Sequence, residues 1–296
     1  MGSEISATMD CPTKNSTRLI EVESLFNDWE QKFSRFLENS ELNQVNRKSG
    51  NEIAVSAEFL ELLEAAKDAY ITTSGLVNTT MLGQIEHAGY FGSIELVQGK
   101  DHFGQWSPTI ANSSPLEVET DPNYGTIFLP YGIRLDFGGL VKGWAAHKAA
   151  VQMAQYGPTL VNAGGDIHIS GPQTDNSPWP ITIEHPFYQG ETIANIGVPS
   201  GSIATSGTYR RKWRLNGNLH HHLIDPRTGA PSQSDVVSAT AITQDPILAE
   251  AGAKAILLLG SEKGMEWAEQ HEVAVFIVTT TGHAQFDQRM KQYFWS

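Results

Sequence analysis

The chain has 296 residues, 40% hydrophobic and 18% charged, enough to bury a sizeable core as one domain over residues 1–296 or as two intimately joined lobes. Its formal net charge of -13 argues against nonspecific nucleic-acid binding, because an acidic surface repels phosphates. No apolar run approaches the roughly 20 residues of a membrane-spanning helix, and Cys11, the only cysteine, excludes an internal disulfide.

In chain order, Ile20, Val22, Leu25, Phe26, Trp29, Phe33, Phe36 and Leu37 recur at helical spacing and predict an amphipathic helix ending near Asn39. Ser56 caps a second helix with Phe59, Leu62, Leu63, Ala66 and Tyr70 as its buried stripe and Gly75 as its stop. Between Gly92 and Pro130 the glycine, proline and serine content rises, which predicts short strands and loops. A third helix starts after Gly138-Gly139 and runs to about Tyr156, where Gly157-Pro158 stops it. Strands follow at Thr159 to Asn162, Ile181 to Glu184 and Ile193 to Val198.

Tyr209, Arg211, Trp213 and Leu215 then alternate with Arg210, Lys212 and Arg214, and Asn216-Gly217 signals a two-residue hairpin. The basic residues read as charges on a solvated edge strand. Asp245-Pro246 opens a helix through Leu259, Ser261 caps another through His271, and Val273 to Thr279 with Thr281-Gly282 reads as a closing hairpin. Helices and hairpins in this mixed order predict an α+β fold with mixed, largely antiparallel sheets and flanking helices, not a doubly wound parallel sheet.

The chemistry is expected after the Asn216-Gly217 hairpin, in His220-His221-His222-Leu223-Ile224-Asp225-Pro226-Arg227-Thr228-Gly229. Strand alternation places His220 and His222 on one face with Ile224 and His221 on the other, so the triplet does not form one three-ligand chelate. Asp225 and Arg227 read as turn builders, with Pro226 fixing the backbone and Gly229 ending the turn. Three glycine-rich segments precede the triplet: Leu135-Asp136-Phe137-Gly138-Gly139-Leu140-Val141-Lys142-Gly143, Leu160 to Ile167 around Asn162-Ala163-Gly164-Gly165-Asp166, and Ile203 to Tyr209 around Thr205-Ser206-Gly207. The Asp136 segment joins a carboxylate, glycines that let backbone approach a phosphate, and a helix N-terminus, or equally serves as a plain strand-to-helix connection. The other two line a cleft or serve tight strand packing.

In this order the segments resemble those of the ApbE family, the FAD:protein FMN transferases, with LDLGG-x-x-KG, N-x-GGD, ATSG-x-Y and H-x-I-D-P-x-TG patterns. Phe33-Ser34-Arg35-Phe36 with Asn39-Ser40-Glu41-Leu42, Gly75-Leu76-Val77-Asn78-Thr79-Thr80, and the opening Met1-Gly2-Ser3 extend the resemblance along the chain. It implies an ApbE-like, T-fold-like architecture and transfer of FMN from FAD to a Ser or Thr hydroxyl of an acceptor flavoprotein, with release of AMP. His222 aligns with the family's catalytic histidine, the expected base for the acceptor hydroxyl. Met1, Phe36, Leu76, Val77, Asn78, Asp136, Lys142 and Ile224 align with FAD-contacting positions, although Phe36 replaces a frequent tyrosine and Asn78 a frequent aspartate. Phe36 serves either the ligand or the core.

The family's Mg2+ ligands align with the Gly139 carbonyl, Glu250 and Lys254. Lys254 departs from the pattern, because a protonated lysine brings an ammonium where the family has a threonine oxygen. Three outcomes follow: the metal is held without Lys254, the ammonium replaces the metal's charge, or FAD binds without turnover. Glu250 and Lys254 also read as an ordinary i,i+4 pair. Two rival readings are an FAD-binding protein with weak or no transferase activity, and an FAD pyrophosphatase or metal-dependent hydrolase using His220, His222 and Asp225. The chain as it stands reads as cytoplasmic; removal of a leader would make it periplasmic or membrane-anchored.

Overall fold

A computed structural model describes residues 3–97, 101–103 and 106–295. Its elements begin with β1 (Ile5–Met9), α1 (Ile20–Phe33), α2 (Glu41–Arg47), β2 (Asn51–Ala54), α3 (Ala57–Thr72), α4 (Leu82–His87) and α5 (Ile94–Val97). They continue with β3 (Asp101–His102), β4 (Glu119–Asp121), β5 (Thr126–Leu129), α6 (Val141–Met153), β6 (Thr159–Ala163), β7 (Asp166–Ile169), β8 (Trp179–Glu184), β9 (Thr192–Val198) and β10 (Gly201–Gly207). The last are β11 (Lys212–Leu215), β12 (Asn218–His221), β13 (Ile224–Asp225), β14 (Ala230–Pro231), β15 (Val236–Thr243), α7 (Pro246–Leu259), α8 (Ser261–Gln270), β16 (Ala274–Thr279) and β17 (Ala284–Phe286). The result is the expected mixture of helix and largely antiparallel sheet. No helix among the described residues is long and apolar enough to cross a membrane.

The chain divides into two compact units. The first takes in residues Asp28–Val141 and Arg210–Gln233. It holds the small sheets β2-β5-β4, β12-β11-β3 and β13-β14. Phe33, Phe59 and Phe137 pack edge to face or tilted within it, which suits the quadrupoles of their rings. A second apolar cluster joins Tyr90, Val97, Trp213 and Leu215 beneath the histidine hairpin.

The second unit contains Ser3–Asn27, Lys142–Tyr209 and the chain from Ser234. Its seven-stranded sheet runs β1-β6-β7-β10-β15-β16-β17, with every neighbouring pair antiparallel. Strands β15 and β16 are almost wholly buried; β16 reads as a nearly unbroken apolar run, whereas β15 buries Ser238 and Thr240 among its apolar residues. The β8-β9 hairpin contributes Trp179, Ile181, Ile183, Ile196 and Val198 to a core shared with Ile203, Ile242 and Phe276. α7 packs on β10 and β15. Its run of Ala249, Ala251, Gly252, Ala253 and Ala255 keeps the helix surface thin and lets the backbone lie close.

Three local expectations need correction. α1 ends at Phe33, because the Ser34 hydroxyl accepts from the Phe36 N–H and the Asn43 amide holds the carbonyls of Arg35 and Leu37, each at 2.9 Å, in a turn. α8 is capped by Asp235 and not by Ser261, whose N–H and hydroxyl both bond the Asp235 carboxylate. β11 is not an edge strand, since it lies between β12 and β3.

Candidate functional site

The histidine hairpin is built in the first unit. Asn216 and Gly217 both take positive φ, 51° and 77°, the backbone that a tight two-residue hairpin turn needs. Trp213 then pairs with His220 and Lys212 with His221 across β11 and β12. His220 is only 3% exposed, with Trp106 edge-on at 4.7 Å and Trp213 tilted at 6.4 Å. Burial pushes its imidazole below the usual histidine range. His221 is pushed down by burial as well. Its Nε2 lies 3.0 Å from the Ser232 carbonyl, and its Nδ1 accepts from the Leu223 N–H at 3.3 Å, which bends the chain.

His222 falls in that bend, outside β12 and half-buried. The strict alternation expected from the sequence therefore ends at His221. Beyond the bend, the Asp225 carbonyl accepts from the N–H groups of Thr228 and Gly229, and its carboxylate accepts from the Arg227 backbone and guanidinium. Gly229 has φ 69° and lies against the Thr109 backbone, so a side chain would not fit there. Ile224 packs its side chain with Met81 and Ala88. Because Asp225 is spent on its turn and His220 on packing, these two do not gather with His222 as a metal site. Among the described residues no three His, Cys, Asp or Glu side chains converge for that purpose.

Also within this unit, Asp136 sits in a turn where its Oδ1 accepts from the Gly138 N–H at 2.9 Å and its own N–H donates to the Thr79 carbonyl. The Arg35 Nε stands 3.8 Å from Asp136 Oδ2, with both side chains largely covered. Arg35 also meets two aromatic rings, its guanidinium carbon 4.7 Å from the Phe36 ring centre and 4.4 Å from that of Tyr90. Phe36 remains 41% exposed, so it is not a core residue. Leu76 and Val77 are buried. Asn78 uses both ends of its amide, donating to the Ser113 carbonyl at 2.8 Å and accepting from the Thr80 N–H and hydroxyl. An aspartate lacks the donor for Ser113, which accounts for asparagine at this position. Gly139 lies in the turn that the Phe137 carbonyl closes with the Leu140 and Val141 N–H groups. Met1 lies outside the described residues.

The second unit holds the remaining residues, Lys142, Glu250 and Lys254. Glu250 is fully buried. Its Oε1 lies 3.4 Å from Lys142 Nζ and 3.3 Å from Lys254 Nζ, and its Oε2 accepts from the Gly143 N–H at 3.0 Å. Lys142 also pairs with Asp166. Burial raises the Glu250 carboxyl, but Lys254, Lys142 and the Gly143 N–H together bring it below the ordinary glutamate value. Gly143 is required: a Cβ there would stand 2.9 Å from Glu250 Oε2 and 3.3 Å from the Pro246 carbonyl. In the neighbouring turn the Asn162 side chain accepts from the Gly165 N–H at 2.8 Å.

Magnesium does not fit these side chains. Every oxygen of Glu250 already faces a donor, and Lys254 offers no lone pair. At an effective dielectric near 20, each ammonium about 4 Å from a divalent ion opposes it by roughly 8 kcal/mol, cancelling the attraction of one carboxylate at the same distance.

Residues 1–277 match the model of the ApbE family. The chain belongs to the ApbE family. Two relatives called FAD:protein FMN transferase are each 28% identical to it. The one from Haemophilus influenzae aligns over 88% of this chain and 78% of its own, and the one from Vibrio cholerae over 94% and 83%. Among solved structures, the ApbE protein of Thermotoga maritima superposes with a TM-score of 0.85 at 24% identity, covering 98% of this chain and 94% of its own. The apo flavinyl transferase ApbE of Pseudomonas stutzeri gives 0.82 at 23% identity, covering 100% and 95%. At these identities the structures establish the fold of this ApbE family member.

Arg35 and Asp166 are the charged residues whose partnerships the sequence reading missed. Arg35 lies within Phe33-Ser34-Arg35-Phe36, and its only signal in the sequence is its place beside Phe36. Asp166, in a turn expected to line a cleft or serve tight strand packing, also pairs with Lys142.

Proposed function

We propose that this protein transfers FMN from FAD to a serine or threonine hydroxyl of an acceptor flavoprotein and releases AMP. One observation supports the reading: His222, which aligns with the histidine of the ApbE pattern, stands half-buried in the bend beyond β12, while His220 is packed among aromatic rings and His221 meets the Ser232 carbonyl. The names of the relatives support the same chemistry.

The acceptor oxygen attacks the phosphorus of the FMN half, and the bond from that phosphorus to the bridging oxygen breaks. His222 takes the hydroxyl proton, and AMP departs with the bridging oxygen. Asp136 and Lys142 bind the dinucleotide, Ile224 meets it through its backbone, and Phe36 offers an exposed aromatic face. No step is assigned to a metal.

The test combines the purified protein, FAD and a candidate acceptor flavoprotein, and follows acceptor mass and AMP. The reading expects FMN added to a Ser or Thr of the acceptor in step with AMP. AMP with free FMN and an unmodified acceptor indicates a pyrophosphatase instead, and bound FAD with no AMP indicates a noncatalytic flavin binder.

A further inference from the structure

The two lysines beside Glu250 decide a question that the proposed reaction leaves open. Asp166 and Glu250 contribute two negative charges, and Lys142 and Lys254 two positive charges, so the cluster is balanced as it stands. It is also rigidly supported. Glu250 and Lys254 lie one turn apart on α7, whose start is capped by Asp245, and the Gly143 N–H pins the second carboxylate oxygen from α6. Lys254 additionally reaches the Glu250 carbonyl at 3.4 Å. A divalent cation entering here would have to displace the two ammonium groups from the carboxylates they neutralise.

We propose that the ammonium groups of Lys142 and Lys254, held by Asp166 and Glu250, take the place of a divalent metal, so that this protein binds and uses FAD without magnesium. The part concerning FAD rests on the function proposed above; the part concerning the metal does not. An ammonium supplies fixed positive charge and donors without demanding octahedral oxygen geometry, which is the property separating it from Mg2+ in such a site.

The experiment titrates the full chain with Mn2+, read by loss of the free-ion electron paramagnetic resonance signal, and measures FAD affinity in EDTA and in excess Mg2+. The unmodified protein is expected to take up no Mn2+ at sub-millimolar concentration, with FAD affinity the same within about twofold in the two buffers. Lys254→Thr, which replaces the ammonium with a neutral oxygen, is expected to gain Mn2+ uptake and an FAD affinity that falls about tenfold or more in EDTA. Stoichiometric Mn2+ uptake by the unmodified protein, lost in Glu250→Gln, overturns the proposal, and this arm does not depend on the threonine variant folding. If the unmodified protein takes up no Mn2+ and binds no FAD in either buffer, the flavin reading fails while the metal conclusion stands.

Discussion

Three consecutive histidines carry three different duties because each meets a different environment. His220 lies between Trp106 and Trp213, His221 holds the Ser232 carbonyl, and His222 stands in the bend. Replacing His222 with alanine is expected to lower FMN transfer by about 100-fold or more, the usual worth of a positioned base. His220→Phe, which keeps an aromatic ring among aromatics, is expected to change the rate by less than about threefold. Steady-state rates for both variants check this, and equal losses would contradict the assignment of the base.

A different histidine governs acid stability. His168 is 6% exposed, 2.7 Å from the Ser202 hydroxyl and 3.2 Å from His147, and burial, then the His147 ring, pushes its pKa down to about 4. The unfolded chain protonates this residue near pH 6.5 while the folded chain does not, so acidification favours unfolding. Stability contributed by neutral His168 is complete above about pH 6.5 and is lost as pH falls toward about 4, on the order of 3 kcal/mol in all. Urea unfolding at about pH 7 and about pH 5 is expected to show about 2 kcal/mol of this loss in the unmodified protein and a clearly smaller one in His168→Gln. Identical pH dependence in the two proteins would contradict it.

Among the elements, α7 matters most, since it carries both Glu250 and Lys254. Its first turn is held by Asp245, whose carboxylate accepts from the Ile247 N–H at 2.8 Å and the Leu248 N–H at 3.3 Å. Asp245→Ala is expected to cost about 1 kcal/mol and to lose hydrogen-exchange protection first at the amides of Ile247 and Leu248. Unchanged protection there would mean that tertiary packing alone fixes the helix start. This helix was fully legible in the sequence, because Asp-Pro, a helical apolar pattern and Gly260 are all local signals. α3 and the Asn216-Gly217 turn were legible for the same reason.

What stayed hidden depended on distant partners. Phe36 continues the apolar spacing of α1, yet the Asn43 amide, later in the chain, turns the backbone before Phe36 is reached. β1 is short and polar at alternate positions, and only its pairing with β6 makes it a strand. Between Gly92 and Pro130 the short strands and loops were anticipated, but α5 at Ile94–Val97 was not. At the site, the aligned positions were readable, whereas the links Lys142 to Asp166 and Arg35 to Asp136 join residues far apart in sequence and leave no periodic trace.

For the whole molecule, net charge -13 means that the proposed use of an anionic dinucleotide requires cations concentrated locally. Within the first unit Arg35, and within the second Lys142 and Lys254, are each set against a carboxylate that keeps them in place. FAD at about one hundred times its Kd is expected to raise the unfolding free energy by roughly 2.7 kcal/mol, with AMP alone giving less at equal concentration. Chemical unfolding with each nucleotide measures this, and equal stabilisation by AMP would place the recognition in the adenylate half only.

The measurement that bears most directly on the account is mass spectrometry of an acceptor flavoprotein after incubation with this protein and FAD, alongside the His222→Ala variant. A serine or threonine carrying FMN is expected, formed together with AMP and lost with the variant. An acceptor equally modified by the His222→Ala protein would contradict it.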